Sequence, residues 1–192
     1  MTDEDRPLVQ RASAGDRCAL TELIRQWNRP ILSVAYRVLG DSHDALDVRQ
    51  QAFQRIVARI GTFDPQGQFA PWVYRIVVNL CRDLQRARGQ SSRALGELKT
   101  RAASGGPDPA AAVPGERTEV SAAVRDAILA LPAEEREVIV LREYANLSFS
   151  QMARTLDVPA STLKSRALRG LRRLRTRLSH LECGMGQGRS DS

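Results

Sequence analysis

The chain has 192 residues, 42% of them hydrophobic but only 5% aromatic, and a formal net charge of +7 with a sequence pI of about 10.1. That length suits one or two compact domains with aliphatic cores, and the basic balance points to a polyanionic partner, nucleic acid or an anionic membrane surface. No apolar run approaches the ~20 residues that span a bilayer, the start Met1–Asp5 is too acidic for a signal peptide, and Cys18, Cys81, Cys183, His43 and His180 are too scattered for a disulfide framework or a zinc site; a cytoplasmic protein is expected.

Residues 8–93 read as consecutive helices. The first covers about Leu8 to Ala14 and stops at Gly15-Asp16. The second places Leu20, Leu23, Ile24, Trp27 and Ile31 at helical spacing and continues to Leu39, with Pro30 expected to kink or break it. Asp41-Ser42 can cap a third helix over about 44–60, with Ala45, Val48, Ala52, Ile56 and Ile60 on its apolar face. Thr62 to Phe69 reads as a loop through its Asp-Pro and Gly content, and Pro71 suits the first turn of a fourth helix over about 71–88. Residues 89–118 are rich in Ser, Gly, Ala and Pro and read as a flexible linker.

Helical pattern resumes near Glu119, with Val124, Ile128 and Leu131 in one stripe, then Glu134 to Tyr144 with Val138, Leu141 and Ala145 on one face. Asn146-Leu147 is a turn, Ser148 can cap Phe149–Leu156, and Asp157-Val158-Pro159 leads into a long helix starting at Ala160 or Ser161. The expected stripe of that last helix is Leu163, Ala167, Leu171, Leu174, Leu178 and Leu181. No strand pattern stands out. The expected fold is all-α: domain 1–88, linker 89–118, domain 119–182, and a disordered tail over 183–192.

A short helix, a tight turn and a second helix over 149–180 make a helix-turn-helix. The second helix carries Lys164, Arg166, Arg169, Arg172, Arg173, Arg175 and Arg177, with no acid between Val158 and Leu181. Such a face is relieved by a polyanion through counterion release. Ser161, Thr162, Lys164 and Ser165 stand at its start, where this motif reaches base edges. A merely solvated basic face and a zipper-like dimer seam are the bland alternatives; about three heptads are short for the latter.

The fourth helix has a second face, on which Trp72, Arg75, Asn79, Arg82 and Arg86 recur at steps of 3, 4, 3 and 4. An aromatic ring and guanidinium planes stack unpaired bases, an amide reads a Watson–Crick edge, and arginines hold the backbone. The competing reading makes Trp72 a core anchor and the arginines solubilising.

These residues resemble the extracytoplasmic-function sigma factors, the smallest branch of the sigma-70 class. LVQRASAGDRCALTELI looks like the family's opening helix and LGDSHDALDVRQQAF like its polymerase-binding segment. FDPQGQFAPWVYRIVVNLCRDLQR is similar to the segment that opens the −10 element, and LPAEEREVIVLREYANLSFSQMARTLDVPASTLKSRALRGLRRLRTRL resembles region 4. The resemblance implies a factor that binds core RNA polymerase, at the beta-prime clamp and beta flap, and directs it to promoter DNA. It implies no cofactor, no small-molecule substrate and no catalytic site. It puts Asn79 with Phe63 in a pocket for a flipped −10 base, surrounded by Trp72, Arg75, Arg82 and Arg86. It puts Ser161, Thr162, Lys164, Ser165, Arg166, Leu168, Arg169, Arg172 and Arg173 at the −35 element, and Asp47, Gln50 and Gln51 at the polymerase. It also implies an anti-sigma factor, often membrane-anchored, that would hold the protein inactive at the inner membrane.

The chain departs from the family where Asp47-Val48-Arg49-Gln50-Gln51 replaces Asp-Val-Val-Gln-Glu, and where Val57-Ala58-Arg59 stands in place of an aromatic. A stand-alone helix-turn-helix regulator is the main rival; it leaves the Trp72–Arg86 face and the Asp47–Gln50 segment without a role. An enzyme would need converging carboxylates or a metal cluster, and the acidic residues here are dispersed in sequence.

Overall fold

The computed structural model describes residues 5–64, 67–94 and 119–185, and every regular element among them is helical. Helix α1 (Asp5–Ser13) ends at Gly15, whose φ of 95° turns the chain back sharply. Helix α2 (Arg17–Leu39) begins on Asp16, whose carboxylate accepts the backbone N–H groups of Cys18 and Ala19. It closes on Gly40 in the left-handed region, with the Gly40 N–H bonded to the Tyr36 carbonyl.

Of the two outcomes expected at Pro30, a kink or a break, the break does not occur: α2 runs through it as one helix. An interior proline costs ~3 kcal/mol. On either side of it Leu23, Trp27, Ile31, Val34 and Val38 are buried, at about 1.5–3 kcal/mol for each large side chain. Burial therefore outweighs the local penalty.

Helix α3 (Ser42–Arg59) starts on Asp41, which accepts from the Asp44 N–H. Its expected apolar face, Ala45, Val48, Ala52 and Ile56, is buried together with Ile60 in the following 3-10 turn. Helix α4 (Phe69–Ala94) carries Pro71 in its first turn and extends six residues past the expected end, so 89–94 continue the helix. The remainder of the expected linker, 95–118, lies outside the described residues. Arg88 of α4 ion-pairs with the buried Asp44 at the head of α3, tying the two helices together. Val73, Tyr74, Ile76, Val77, Val78, Leu80 and Cys81 of α4 are buried, and Leu84 is half-buried.

Helices α5 (Glu119–Leu129), α6 (Ala133–Glu143), α7 (Phe149–Leu156) and α8 (Ala160–Met185) form the second half. Asn146 has a φ of 52°, which turns the chain between α6 and α7. Ser148 and Gln151 make a reciprocal capping box, and Asp157, also left-handed, ends α7. Residues 183–185, expected in the tail, extend α8, and 186–192 lie outside the described residues.

The packed stripe of α8 differs from the expected one. Leu163, Ala167 and Gly170 are buried and Leu174 is half-buried, whereas Leu171 is 49% exposed. The steps of 4, 3 and 4 pass through a glycine that hydrophobicity alone does not mark. A Cβ on Gly170 would lie 3.0 Å from Ile139 Cγ1, so α6 and α8 approach too closely for any larger residue to fit without movement.

The cores of the two halves are continuous. Helix α4 packs on α7, and α2 packs on both α5 and α6. Gly40 abuts Leu129: a Cβ there would meet its side chain at 2.9 Å. Among the described residues, no helix is long and apolar enough to cross a membrane, and no group of three or more His, Cys, Asp or Glu could hold a metal.

Candidate nucleic-acid interface

The head of α4 is built on an aromatic chain. Phe63 contacts Trp72 (ring centroids 5.0 Å apart) and Phe69 (5.4 Å); Phe69 touches Trp72 (5.5 Å) and Trp27 (5.3 Å); Trp27 reaches Tyr74 (5.5 Å). Trp27, Phe69 and Tyr74 are buried, while Phe63 and Trp72 are only half-buried and face outward. Trp72 thus anchors the core edge through its ring contacts and is only half-buried. One turn on, Arg75 is exposed, followed by Asn79, exposed and roughly 10 Å along the axis from Trp72. Arg86 extends the same face and also pairs with Asp83 at 3.2 Å. An exposed amide between two guanidinium groups, beside a half-open aromatic edge, can stack and hydrogen-bond an unpaired base.

In α7–α8, the long helix begins immediately after a left-handed turn, with Ser161, Lys164, Ser165 and Leu168 exposed near its start and Thr162 half-buried. Ser165 Oγ donates to the Ser161 carbonyl, so that hydroxyl is partly engaged. The basic residues divide into two sets. Arg166 pairs with Glu134 at 2.7 Å, and Glu135, nearly buried, takes Arg169 at 3.3 Å and Arg173 at 3.1 Å. Those three arginines therefore brace α8 against α6, and charge repulsion along α8 is partly relieved within the fold. Lys164 and Arg172 are exposed on the outer side. Between Glu116 and Glu143 the sequence holds seven Asp or Glu against four Arg, but it does not give their register against α8.

On α3, Asp47, Gln50 and Gln51 are exposed. Gln50 borders an open groove of about 640 Å³ between α2 and α3, floored by Ile24, Phe53, Val57 and Ala58. Arg49, which stands where the family has a valine, donates to the Asn28 side chain at 3.2 Å and so crosses the groove rather than projecting freely.

Sequence comparison matches "Sigma-70 region 2" over residues 23–91 and "Sigma-70, region 4" over residues 121–174. The ECF RNA polymerase sigma factor SigE of Mycolicibacterium smegmatis is 34% identical over 182 residues, covering 93% of this chain and 70% of that protein. The chain belongs to the extracytoplasmic-function (ECF) sigma factors of RNA polymerase. SigW of Bacillus subtilis is 31% identical, with 90% and 96% of the two chains covered. The fold of this sigma factor is similar to that of RpoE from Bartonella quintana, solved with the anti-sigma factor NepR, at a TM-score of 0.72 and 20% identity over 83% of this chain and 96% of that one. It is also similar to CnrH, solved with the cytosolic domain of CnrY, at a TM-score of 0.67 and 24% identity over 93% and 99%. An alternative sigma factor binds core RNA polymerase and directs it to promoters, and this membership disfavours a stand-alone regulator.

Arg82, expected on the open face of α4, is instead engaged at the seam between the sigma factor's two halves. Its Nε and Nη2 donate to both carboxylate oxygens of Glu137 at 2.9 and 2.6 Å, and Glu137 is 3% exposed. The carboxylate raises the Arg82 pKa above its ordinary value. The neighbouring Arg136 donates to the Val38 carbonyl at the end of α2 and to the Leu129 and Leu131 carbonyls at the end of α5. Burial lowers its pKa. Arg154 donates to the Gln68 side chain at 2.7 Å, and the buried Thr155, whose hydroxyl donates to the Gln151 carbonyl of its own helix at 3.0 Å, lies against the Pro71 carbonyl, where α7 sits on the head of α4. Sequence reading missed Glu137, Arg136, Arg154 and Thr155. The signal for Glu137 was present: it stands four residues before Leu141, on the apolar side of α6.

Proposed function

We propose that this sigma factor captures an unpaired −10 base with Asn79 and the Phe63–Trp72 edge, holds the adjoining strand with Arg75 and Arg86, and reads the −35 element with the outer face of α8. Exposure of Asn79 between arginines, next to two half-buried rings, is the observation that carries this reading. On α8, Ser161, Thr162, Lys164, Ser165, Leu168 and Arg172 are the contacts toward DNA, with Arg166, Arg169 and Arg173 acting chiefly through the angle at which they hold the helix. Asp47, Gln50 and Gln51, beside the α2–α3 groove, dock the core polymerase. The factor works in the cytoplasm as a specificity subunit without a catalytic site of its own, and an anti-sigma factor holds it inactive. RpoE of Bartonella quintana, solved with the anti-sigma factor NepR, supports that last point.

Run-off transcription with sigma-free core polymerase and sheared genomic DNA, with mapping of RNA 5′ ends, tests the reading. Discrete starts sharing two upstream elements are expected; their absence with active core overturns it. Asn79→Ala is expected to cut promoter opening while sparing duplex capture through α8. Equal transcript yield from the variant would remove Asn79 from the pocket.

A further inference from the structure

Between Lys164 and Arg177 helix α8 carries seven cations and no acid. If each met a phosphate, binding to any duplex would release about six counterions, and log K would fall with log[salt] at a slope near about −6. A grip of that kind takes no account of sequence. A genome offers roughly a million or more competing sites, so a promoter-reading factor depends on the ratio of specific to random-sequence affinity rather than on affinity itself.

The fold occupies three of the seven. Arg166, whose side chain is only 16% exposed, is held by Glu134 at 2.7 Å. Arg169 and Arg173, one turn apart, direct their Nε atoms at the two oxygens of a single carboxylate, Glu135 Oε1 at 3.3 Å and Oε2 at 3.1 Å. These two arginines are 53% and 58% exposed, so burial does not keep them from a phosphate; the Glu135 side chain is 7% exposed. That asymmetry decides the competition. A phosphate that drew both arginines away would leave a desolvated carboxylate unpaired, which is far more costly than leaving an arginine in water. Glu135 cannot follow them outward, because its Cβ is packed where α6 meets Gly170. Lys164 and Arg172, on the outer side, face no such competitor.

We infer that Glu134 and Glu135 are a charge governor on the recognition helix: they occupy Arg166, Arg169 and Arg173 from within the fold, hold down the affinity for random-sequence duplex, and leave discrimination to the base-facing start of α8. This rests on the promoter-reading assignment above, and the test separates the two.

Binding of the full chain to a random-sequence duplex is measured across a salt series for wild type, Glu135→Gln, Glu134→Gln and Glu143→Gln, together with the thermal midpoint and run-off transcription by core polymerase. Each substitution keeps the side-chain shape and removes one negative charge; Glu143, exposed at the other end of α6, is the control. Glu135→Gln steepens the salt slope by about two ions and tightens duplex binding roughly ten-fold or more at about 0.15 M salt. Glu134→Gln, at an acid whose side chain is 68% exposed, releases Arg166 alone and steepens the slope by about one ion; it decides the matter if Glu135→Gln does not fold. Glu143→Gln stays within about half an ion of wild type. A mere brace between α6 and α8 would lower the thermal midpoint of Glu135→Gln without steepening its slope, and that result overturns the governor. Weaker duplex binding by Glu135→Gln overturns it too, since Glu135 would then be presenting the arginines to DNA. Transcripts from wild type with equal slopes in all forms would sink the governor and leave the promoter reading; steeper slopes without transcripts from any form would do the reverse.

Discussion

Gly170 sets the distance between the recognition helix and α6, and its replacement tests that geometry energetically. Alanine at 170 gains about 1 kcal/mol of helix propensity. Its Cβ would meet Ile139 Cγ1 at 3.0 Å and Cδ1 at 3.4 Å. The first contact is inside the roughly 3.5–4.0 Å optimum for carbon pairs. Relief requires Ile139, which is 2% exposed, to leave its rotamer or α8 to move outward, at about 1–3 kcal/mol. Gly170→Ala alone thus lands between neutral and ~2 kcal/mol destabilising. Ile139→Ala alone costs about 2–5 kcal/mol by cavity formation. In the double variant the new methyl enters the vacated space, so the loss should fall short of the sum by on the order of 1–2 kcal/mol. Urea unfolding of all four forms measures this coupling. Additivity to within about 0.5 kcal/mol would refute the close approach of the two helices and with it the account of how α8 is held.

The division of basic residues along α8 yields a second contrast. Lys164→Ala should lower the salt dependence of binding to a random-sequence duplex by about one ion and leave the thermal midpoint unmoved. Arg169→Ala should lower stability by about 0.5–1 kcal/mol, discounted because the arginine is half-exposed; an Arg169→Ala variant with unchanged stability would contradict its pairing with Glu135. Asp41 gives a pH test. Hydrogen bonding to the Asp44 N–H holds its pKa below the usual aspartate range. Its contribution is therefore present above the unfolded value and is lost as pH falls through the folded one. Asp41→Ala should cost about 1 kcal/mol at neutral pH, and the gap to wild type in urea midpoint should narrow on acidification below about pH 4; a constant gap would show that the cap is not the source.

Most helices were legible because caps and periodicity agreed at both ends: Asp16, Gly40, Asp41, Ser148 and Asp157 all act as the local chemistry requires. Whether Pro30 would end α2 could not be read from the sequence, because its penalty is local while the compensating burial of Trp27 and Ile31 is tertiary. Leu171 was assigned to the packed stripe because a leucine scores as core, whereas the closest helix contact was made by a residue with no side chain. At the candidate site, the face of Arg75, Asn79 and Arg86 followed from spacing alone. The partners of Arg82, Arg166, Arg169 and Arg173 did not, since these are long-range pairs whose register only the folded chain supplies.

The chain holds two tryptophans, and both belong to the one aromatic chain at the head of α4. Trp27 is sealed in the interior and its emission is insulated from solvent, while Trp72 is half-buried beside the residues proposed to meet an unpaired base. A base stacking there, as proposed, would quench only the second. The protein thus carries an intrinsic optical reporter with an internal reference, and strand capture by the polymerase-bound factor can be timed by stopped-flow fluorescence without attaching a dye.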